Sequence, residues 1–386
     1  MKIAMMLASL GRVRRGAEAA FLEVAQGLSR YEDTQITLFG SGDRDLPDLP
    51  VIVTPCRPRE KFESWPSVPA FRNDCAYEEF TYAWNLARSG AYRPEDFDVV
   101  MTCTYPWVNW IVNSDGRRAE KRKGRRPVHV YVTQNGDWPC SKTNREYRYF
   151  GCDGLVCTNP VFYERQKDRH RSVLIPNGVD PDVFHPRKEG EDGGPAELRD
   201  LNIAPGQKVV VMASAMIETK DVAGGVRAVA QVPDAYLVVA GDGPERQKVA
   251  SLASELLPGR HTLLGSVPRD WMPHLFRRGD AFLHMSRDEP SALVYLEAAS
   301  SGLPMVVHDW SVTRWTLGDV AIYADTSKPE TVALALREAL SPASASRGAA
   351  SRSLVLDGWS WNVLSDKYRA FFLELLKAKT LVGTPS

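Results

Sequence analysis

No stretch of this 386-residue chain approaches the eighteen or so apolar positions that a membrane-spanning helix requires. The start, Met1-Lys2-Ile3-Ala4-Met5-Met6-Leu7, is a short apolar run that passes into a Gly/Arg loop, which is not the pattern of a secretory leader. The expectation is a cytoplasmic protein, with peripheral contact at the inner face of the membrane as a second reading. Net charge is lacking too. Lysine plus arginine and aspartate plus glutamate stand at 48 each, so no global field recruits nucleic acid. The six cysteines (Cys56, Cys75, Cys103, Cys140, Cys152, Cys157) have no CxxC spacing, which argues against a zinc site or a disulfide framework. The first predicted strand is followed by neither G-x-G-x-x-G nor the Lys-Ser/Thr of a P-loop, so dinucleotide and ATP-hydrolase readings lose support.

What the chain has is alternation. Short apolar runs separated by helix-compatible segments recur from end to end, the pattern of parallel sheets covered by helices on both faces. Strands are predicted at residues 2–8, 35–39, 51–54, 98–102, 128–133, 154–158 and 172–175. A second series follows at 208–213, 236–240, 262–264, 281–285, 305–308 and 321–324. The length suits two cores of about 180 residues each. The reading is α/β: two doubly wound Rossmann-like domains facing a cleft, at 1–184 and 206–358. A charged Gly/Pro-rich linker over 185–205 joins them, and an amphipathic helix over 359–386 packs back on the first domain. The basic run from Arg117 to Arg126 reads as a solvated loop between strands, with an anionic lipid or acceptor contact as the second reading.

Glu289 and Glu297 stand out. Ser291 suits an N-cap, and the residues after it are apolar on every side, so the helix should be buried all round. An unpaired carboxylate there would cost about several kcal/mol, so Glu297 needs partners. Eight residues rise about 12 Å, which makes the two glutamates separate grips rather than a pair. Free N–H groups of Ser291, Ala292 and Leu293 would point at an anion between them. A nucleotide sugar fits that description; a capped core helix with one snorkelling glutamate is the alternative.

Open sheets bind ligands beyond the carboxyl ends of their strands. After the first strand, Gly11 to Gly16 form either a turn close to a ligand or an ordinary βα turn. Lys220, before the helix that follows the eighth strand, can neutralise a diphosphate. Gly241-Asp242-Gly243-Pro244 is chiefly a structural turn. Gln134, Asn135, Asp137 and Trp138 gather amide, carboxylate and indole groups suited to sugar recognition, although Asn-Gly-Asp also makes a good turn.

Together these motifs resemble the retaining glycosyltransferases of the GT-B fold, specifically family 4 (group 1). The carriers are Ser286 with Glu289-x7-Glu297 and Gly302-Leu303-Pro304, then Ile175-Pro176-Asn177-Gly178-Val179-Asp180, Ala240 to Pro244, Gly16-Ala17-Glu18 and the Trp361 helix. The resemblance implies that Glu289 contacts the transferred sugar and Glu297 the ribose. It places Ser291, Ala292 and Leu293 at the distal phosphate, Lys220 at the leaving diphosphate, and Gly265, Ser266 and Val267 at the base. It implies no bound metal, in keeping with the lack of an Asp-x-Asp pair at a strand end, and no cofactor beyond the nucleotide diphosphate sugar as co-substrate. The acceptor would be a small molecule, a glycan or a lipid-linked sugar.

Two departures are visible. Ser214 stands where the family has an arginine, for which Arg287 is the candidate replacement, and Gln134 or Asn135 falls where the family has a histidine. An amide can hydrogen-bond a hexose hydroxyl but cannot share a proton. Without a carboxylate nucleophile, retention implies a front-face path in which the departing phosphate takes the acceptor's proton. The rivals are a sugar-nucleotide epimerase of the same fold and a nucleotide-sugar-binding regulatory subunit.

Overall fold

All thirteen apolar runs form strands in the computed structural model, which describes residues 1–13, 16–44, 46–104, 106–136, 151–191, 194–288 and 293–382. The chain divides into two compact units, Met1–Asn177 with Trp361–Ser386, and Gly178–Ser360.

In the first unit, β1 (Lys2–Met6), β2 (Gln35–Gly40), β3 (Val51–Val53), β4 (Val99–Thr102), β5 (Val128–Val132), β6 (Gly154–Cys157) and β7 (Ser172–Leu174) lie in the order β3-β2-β1-β4-β5-β6-β7. Every pairing is parallel. The central strands are buried on both faces, which is why they read as unbroken apolar runs rather than alternating ones. Helices α1 (Gly16–Ser29), α2 (Asp74–Ser89), α3 (Trp107–Lys123) and α4 (Pro160–Gln166) connect them. Asn73 caps α2 by accepting from the Ala76 N–H at 2.9 Å, and Gly90 ends the helix in the left-handed region.

The basic run corrects the sequence reading. Residues 117–123 are not a loop but the second half of α3, closed by Gly124 at φ 66°. Lysine and arginine suit a helix C-terminus, where exposed carbonyls carry partial negative charge, so the same composition that reads as a solvated connection also suits a final helical turn.

The second unit holds β8 (Lys208–Ala213), β9 (Ala235–Ala240), β10 (His261–Gly265), β11 (Ala281–Leu283), β12 (Met305–His308) and β13 (Ile322–Ala324) in the order β10-β9-β8-β11-β12-β13, again parallel. Its helices are α5 (Ala196–Arg199), α6 (Val222–Ala230), α7 (Arg246–Leu256), α8 (Met272–Arg278), α9 (Leu293–Ser300), α10 (Ser311–Leu317), α11 (Pro329–Ala339) and α12 (Ala345–Gly358). One core cluster joins α6 and α11 to the sheet; another gathers Tyr295, Leu296, Ala298 and Ala299 of α9 with Phe276 and Phe282.

The last helix, α13 (Trp361–Val382), belongs to the first unit and packs on α1. Gly27 permits that approach, since a Cβ there would lie 1.8 Å from Ser365 Oγ. Tyr368, Phe372 and Leu375 are buried beneath the helix, accounting for its aromatic face. Among the described residues no helix is long and apolar enough to cross a membrane.

Candidate functional site

The second sheet reverses its strand order between β8, the first strand in sequence, and β11, the fourth. Loops leaving neighbouring strands on either side of such a point diverge and open a crevice at their carboxyl ends. Lys220 comes from the β8 side. It ends a 3-10 turn, Glu218–Lys220, and precedes Asp221, which adopts φ 41° and caps α6 by accepting from the Gly224 N–H at 3.0 Å. Ser286 comes from the β11 side and is buried. Lys220 Nζ donates to Ser286 Oγ at 3.4 Å, spanning the switch point.

His284 lies just beneath, buried, with its Nδ1 3.0 Å from the Tyr295 hydroxyl of α9. Burial, and then the Lys220 ammonium, push the His284 pKa down to about 3, so the ring is neutral at ordinary pH. Among the described residues, Lys220, His284, Ser286 and Tyr295 thus bring together an ammonium, a neutral imidazole and two hydroxyls, a set that can receive an anion.

Glu297 sits on α9, 1% exposed, and pairs with Arg269 from the turn after β10. The Arg269 guanidinium also lies 5.2 Å over the Phe184 ring. The partner that burial demanded is a cation. Arg269 was missed because a lone arginine in a loop carries no local signal. His284 was read only as part of a strand.

Gly265 ends β10 at φ 72°, and its carbonyl accepts from the Gly241 N–H at 2.7 Å. Arg246 reaches to the open side of Gly265, where a Cβ would lie 2.6 Å from its Nη1, and pairs with Asp242 at 3.1 Å. Val267 is half-buried nearby in sequence, and Ser266 is exposed. Ser214 follows β8; its carbonyl packs on Gly241, and its Oγ is buried without a hydrogen-bond partner among the described residues. Arg287 is exposed. Leu293 opens α9 and is half-buried. Glu289, Ser291 and Ala292 lie outside the described residues.

In the first unit, Gln134 donates to Asn177 Oδ1 at 2.5 Å, joining the loop after β5 to the segment after β7. Asn135 closes a 3-10 turn, while its side chain, like Asp137 and Trp138, lies outside the described set. Gly16 is exposed at the start of α1. Two residues on, buried Glu18 accepts from Ser9 Oγ at 2.5 Å, tying the helix to the loop after β1. Arg12, in that loop, forms an ion pair with buried Glu78 of α2.

Two Rossmann-like units, each a parallel sheet with helices, define the GT-B class of glycosyltransferase folds. Residues 195–349 match the model of the family described as Glycosyl transferases group 1. The chain is 27% identical over 269 residues to the GDP-mannose-dependent alpha-(1-6)-phosphatidylinositol monomannoside mannosyltransferase of Mycolicibacterium smegmatis, covering 64% of this chain and 68% of that protein. It is 28% identical over 282 residues to the alpha-monoglucosyldiacylglycerol synthase of Streptococcus pneumoniae, covering 64% of this chain and 60% of that protein. Among solved structures, sucrose-phosphate synthase from Thermosynechococcus elongatus superposes with a TM-score of 0.71 at 16% identity, over 98% of this chain and 99% of that one. Anabaena Alr3699/HepE in complex with UDP-glucose gives 0.69 at 17%, over 98% and 100%. At such identities the structural likeness concerns the fold.

Proposed function

We propose that the chain is a retaining glycosyltransferase of family 4 that moves a hexose-type sugar from a nucleotide diphosphate sugar to an acceptor hydroxyl without a bound metal. The observation that carries the proposal is the Lys220–Ser286 contact across the switch point of the second sheet, with Glu297 and Arg269 in the same unit. Lys220 neutralises the diphosphate as the glycosidic bond breaks. Glu297 accepts from the ribose hydroxyls through whichever oxygen Arg269 leaves available. The backbone at Gly265 and Val267 borders the base, and Glu289 holds the transferred sugar.

The rate enhancement comes from electrostatic stabilisation of the leaving group and from holding the substrates in register. The departing phosphate oxygen takes the acceptor proton on the same face that the acceptor attacks, so configuration is retained without a protein nucleophile. Gln134 and Asn135 contribute amide hydrogen bonds to substrate hydroxyls, with Asp137 and Trp138 beside them. A lipid-linked or glycan acceptor is supported by the relatives above, one named for a phosphatidylinositol mannoside and one for a diacylglycerol glycoside.

The test is thermal unfolding against UDP, GDP, ADP and dTDP and their common sugar conjugates, followed by product analysis with and without acceptor. Selective binding raises the midpoint by mass action. The expected result is a shift with one base, reduced by E297A, and an acceptor-dependent product with retained anomeric configuration. Conversion of the donor alone would indicate an epimerase, and binding without turnover a regulatory subunit; either outcome overturns the proposal.

A further inference from the structure

The second unit has a cleft that glycosyl transfer does not use. It lies between α5, α8 and the chain leading into α5, and its volume is about 550 Å³. That is within the roughly 300–1,000 Å³ of small-molecule sites. Arg187, Arg199, Arg277 and Arg278 line it, together with Glu191 and His274. The described lining residues therefore hold an excess of three positive charges, in a chain whose cations and anions balance at 48 each. The cleft is separate from the crevice at Lys220. Arg278 ends α8 just before β11 begins, at the amino-terminal edge of the sheet, whereas Lys220 and Ser286 follow the carboxyl ends of β8 and β11. The six residues of β8 alone span roughly 20 Å between those edges.

Arg277 is the fixed member of the group. Its side chain is 9% exposed. It donates to the Val183 carbonyl at 3.3 Å, to His185 Nε2 at 3.4 Å and to His274 Nδ1 at 3.1 Å. A guanidinium can only donate, so both ring nitrogens accept. The Glu191 carboxylate stays 3.8 Å from Arg277 Nε, longer than a hydrogen bond, and accepts from the Lys188 N–H at 3.2 Å. Neutral acceptors thus hold this buried cation in place. Arg199 and Arg278 are differently situated. Among the described residues their side chains make no hydrogen bond or ion pair, and the Arg278 Nε is buried. A buried donor without an acceptor is costly, and a ligand oxygen in the cleft would supply the acceptor.

The geometry points to this cleft as a second anion site, which takes the phosphate group of a small molecule. Paired phosphate oxygens match the parallel N–H groups of a guanidinium, and arginine keeps its charge at every working pH. Arg199 and Arg278 supply the hydrogen bonds, while Arg277 adds a fixed charge beside them. An excess of three positive charges suits a dianion better than a single carboxylate. The site is built from residues that the transfer reading does not employ, and it stands without that reading.

The experiment is isothermal titration of the full chain with inorganic phosphate, glucose 6-phosphate and acetate at constant ionic strength. Saturable binding of a phosphate probe is expected, with acetate weaker. R199Q/R278Q should weaken phosphate binding at least about tenfold, the loss expected for one hydrogen bond to a charged group, while K220A leaves it unchanged. Arg199 is exposed, so R199Q alone carries the test if the double variant fails to fold. Tighter binding of glucose 6-phosphate than of phosphate assigns the site to an organic phosphate ester, and equal affinity assigns it to inorganic phosphate; either result supports the proposal. No saturable binding of either phosphate probe at millimolar concentration, acetate binding as tightly as phosphate, or binding that R199Q/R278Q leaves intact overturns it. So does binding lost in K220A and kept in R199Q/R278Q, which would place the ligand in the crevice at Lys220.

Discussion

Arg269 and Glu297 form an ion pair in which one member is buried and the other is partly in water, the carboxylate side chain being 2% exposed and the guanidinium 38%. Removing the arginine leaves a buried charge without its partner; removing the charge does not. R269A should therefore destabilise by about 1–2 kcal/mol, discounted for solvent screening of the arginine, and R269A/E297Q should recover part of that loss. Urea unfolding of the four proteins of the cycle checks this. Strict additivity would show that the pair is not coupled in solution.

Lys220 is half-buried on a short turn, with core packing beneath it supplied by other residues. K220A should lower kcat about a hundred- to a thousandfold, the usual loss on removing a group that stabilises charge in a transition state. Its unfolding midpoint should move by less than about 4 °C. A parallel collapse of both quantities would assign Lys220 to stability instead.

His284 gives stability a defined pH dependence. Its folded pKa of about 3 lies below the ordinary value of 6.5, so between the two the unfolded chain binds the extra proton. This contribution is fully present above pH 6.5 and is lost as pH falls towards 3. His129, buried beside Thr102, is pushed by burial to about 4 and acts in the same direction. The two imidazole resonances should stay flat from about pH 5 to 8. A midpoint near 6.5 for His284 would mean that its ring is hydrated.

Glu79 works with the opposite sign. Burial raises its carboxyl to about 7, partly offset by the Val108 N–H donating at 3.0 Å. Because the unfolded carboxyl ionises near 4.5, the stabilising effect of its folded-state protonation is present below that value and disappears as pH rises through about 7. E79Q should therefore gain on the wild type by up to about 3 kcal/mol between pH 4.5 and 8. Denaturant midpoints across that range supply the measurement, and parallel profiles would exclude the assignment.

Gly241 has φ 144°, and a Cβ there would fall 1.8 Å from the Ser214 carbonyl oxygen. G241A must displace backbone at the end of β8, so a loss of at least about 3 kcal/mol is expected, with nucleotide-induced stabilisation weakened too. A variant as stable as the wild type would show that this loop relaxes freely.

Fold class was legible because parallel strands buried on both faces leave an apolar run, as β4, β6, β9 and β11 do, while the outer strands β3, β7 and β10 are largely half-buried and were legible by their place in the alternation. The C-terminal helix announced itself by its aromatics, which required a large surface. Lys220 and Glu297 were legible for a related reason: a charge beside or within apolar sequence has to be answered by something. What answers it was beyond reach of the linear chain. Arg269 meets Glu297 from 28 positions away, and Ser286 meets Lys220 from 66 away. Such pairs exist because parallel strands return every loop to the same sheet edge, whatever its distance along the chain. The basic run shows the converse limit: composition alone could not separate a solvated loop from a final helical turn, and packing of the apolar side of α3 on the sheet decided it. Sequence determined which segments must be buried and which charges needed partners; tertiary structure decided the partners, because strand order is a property of how the segments meet.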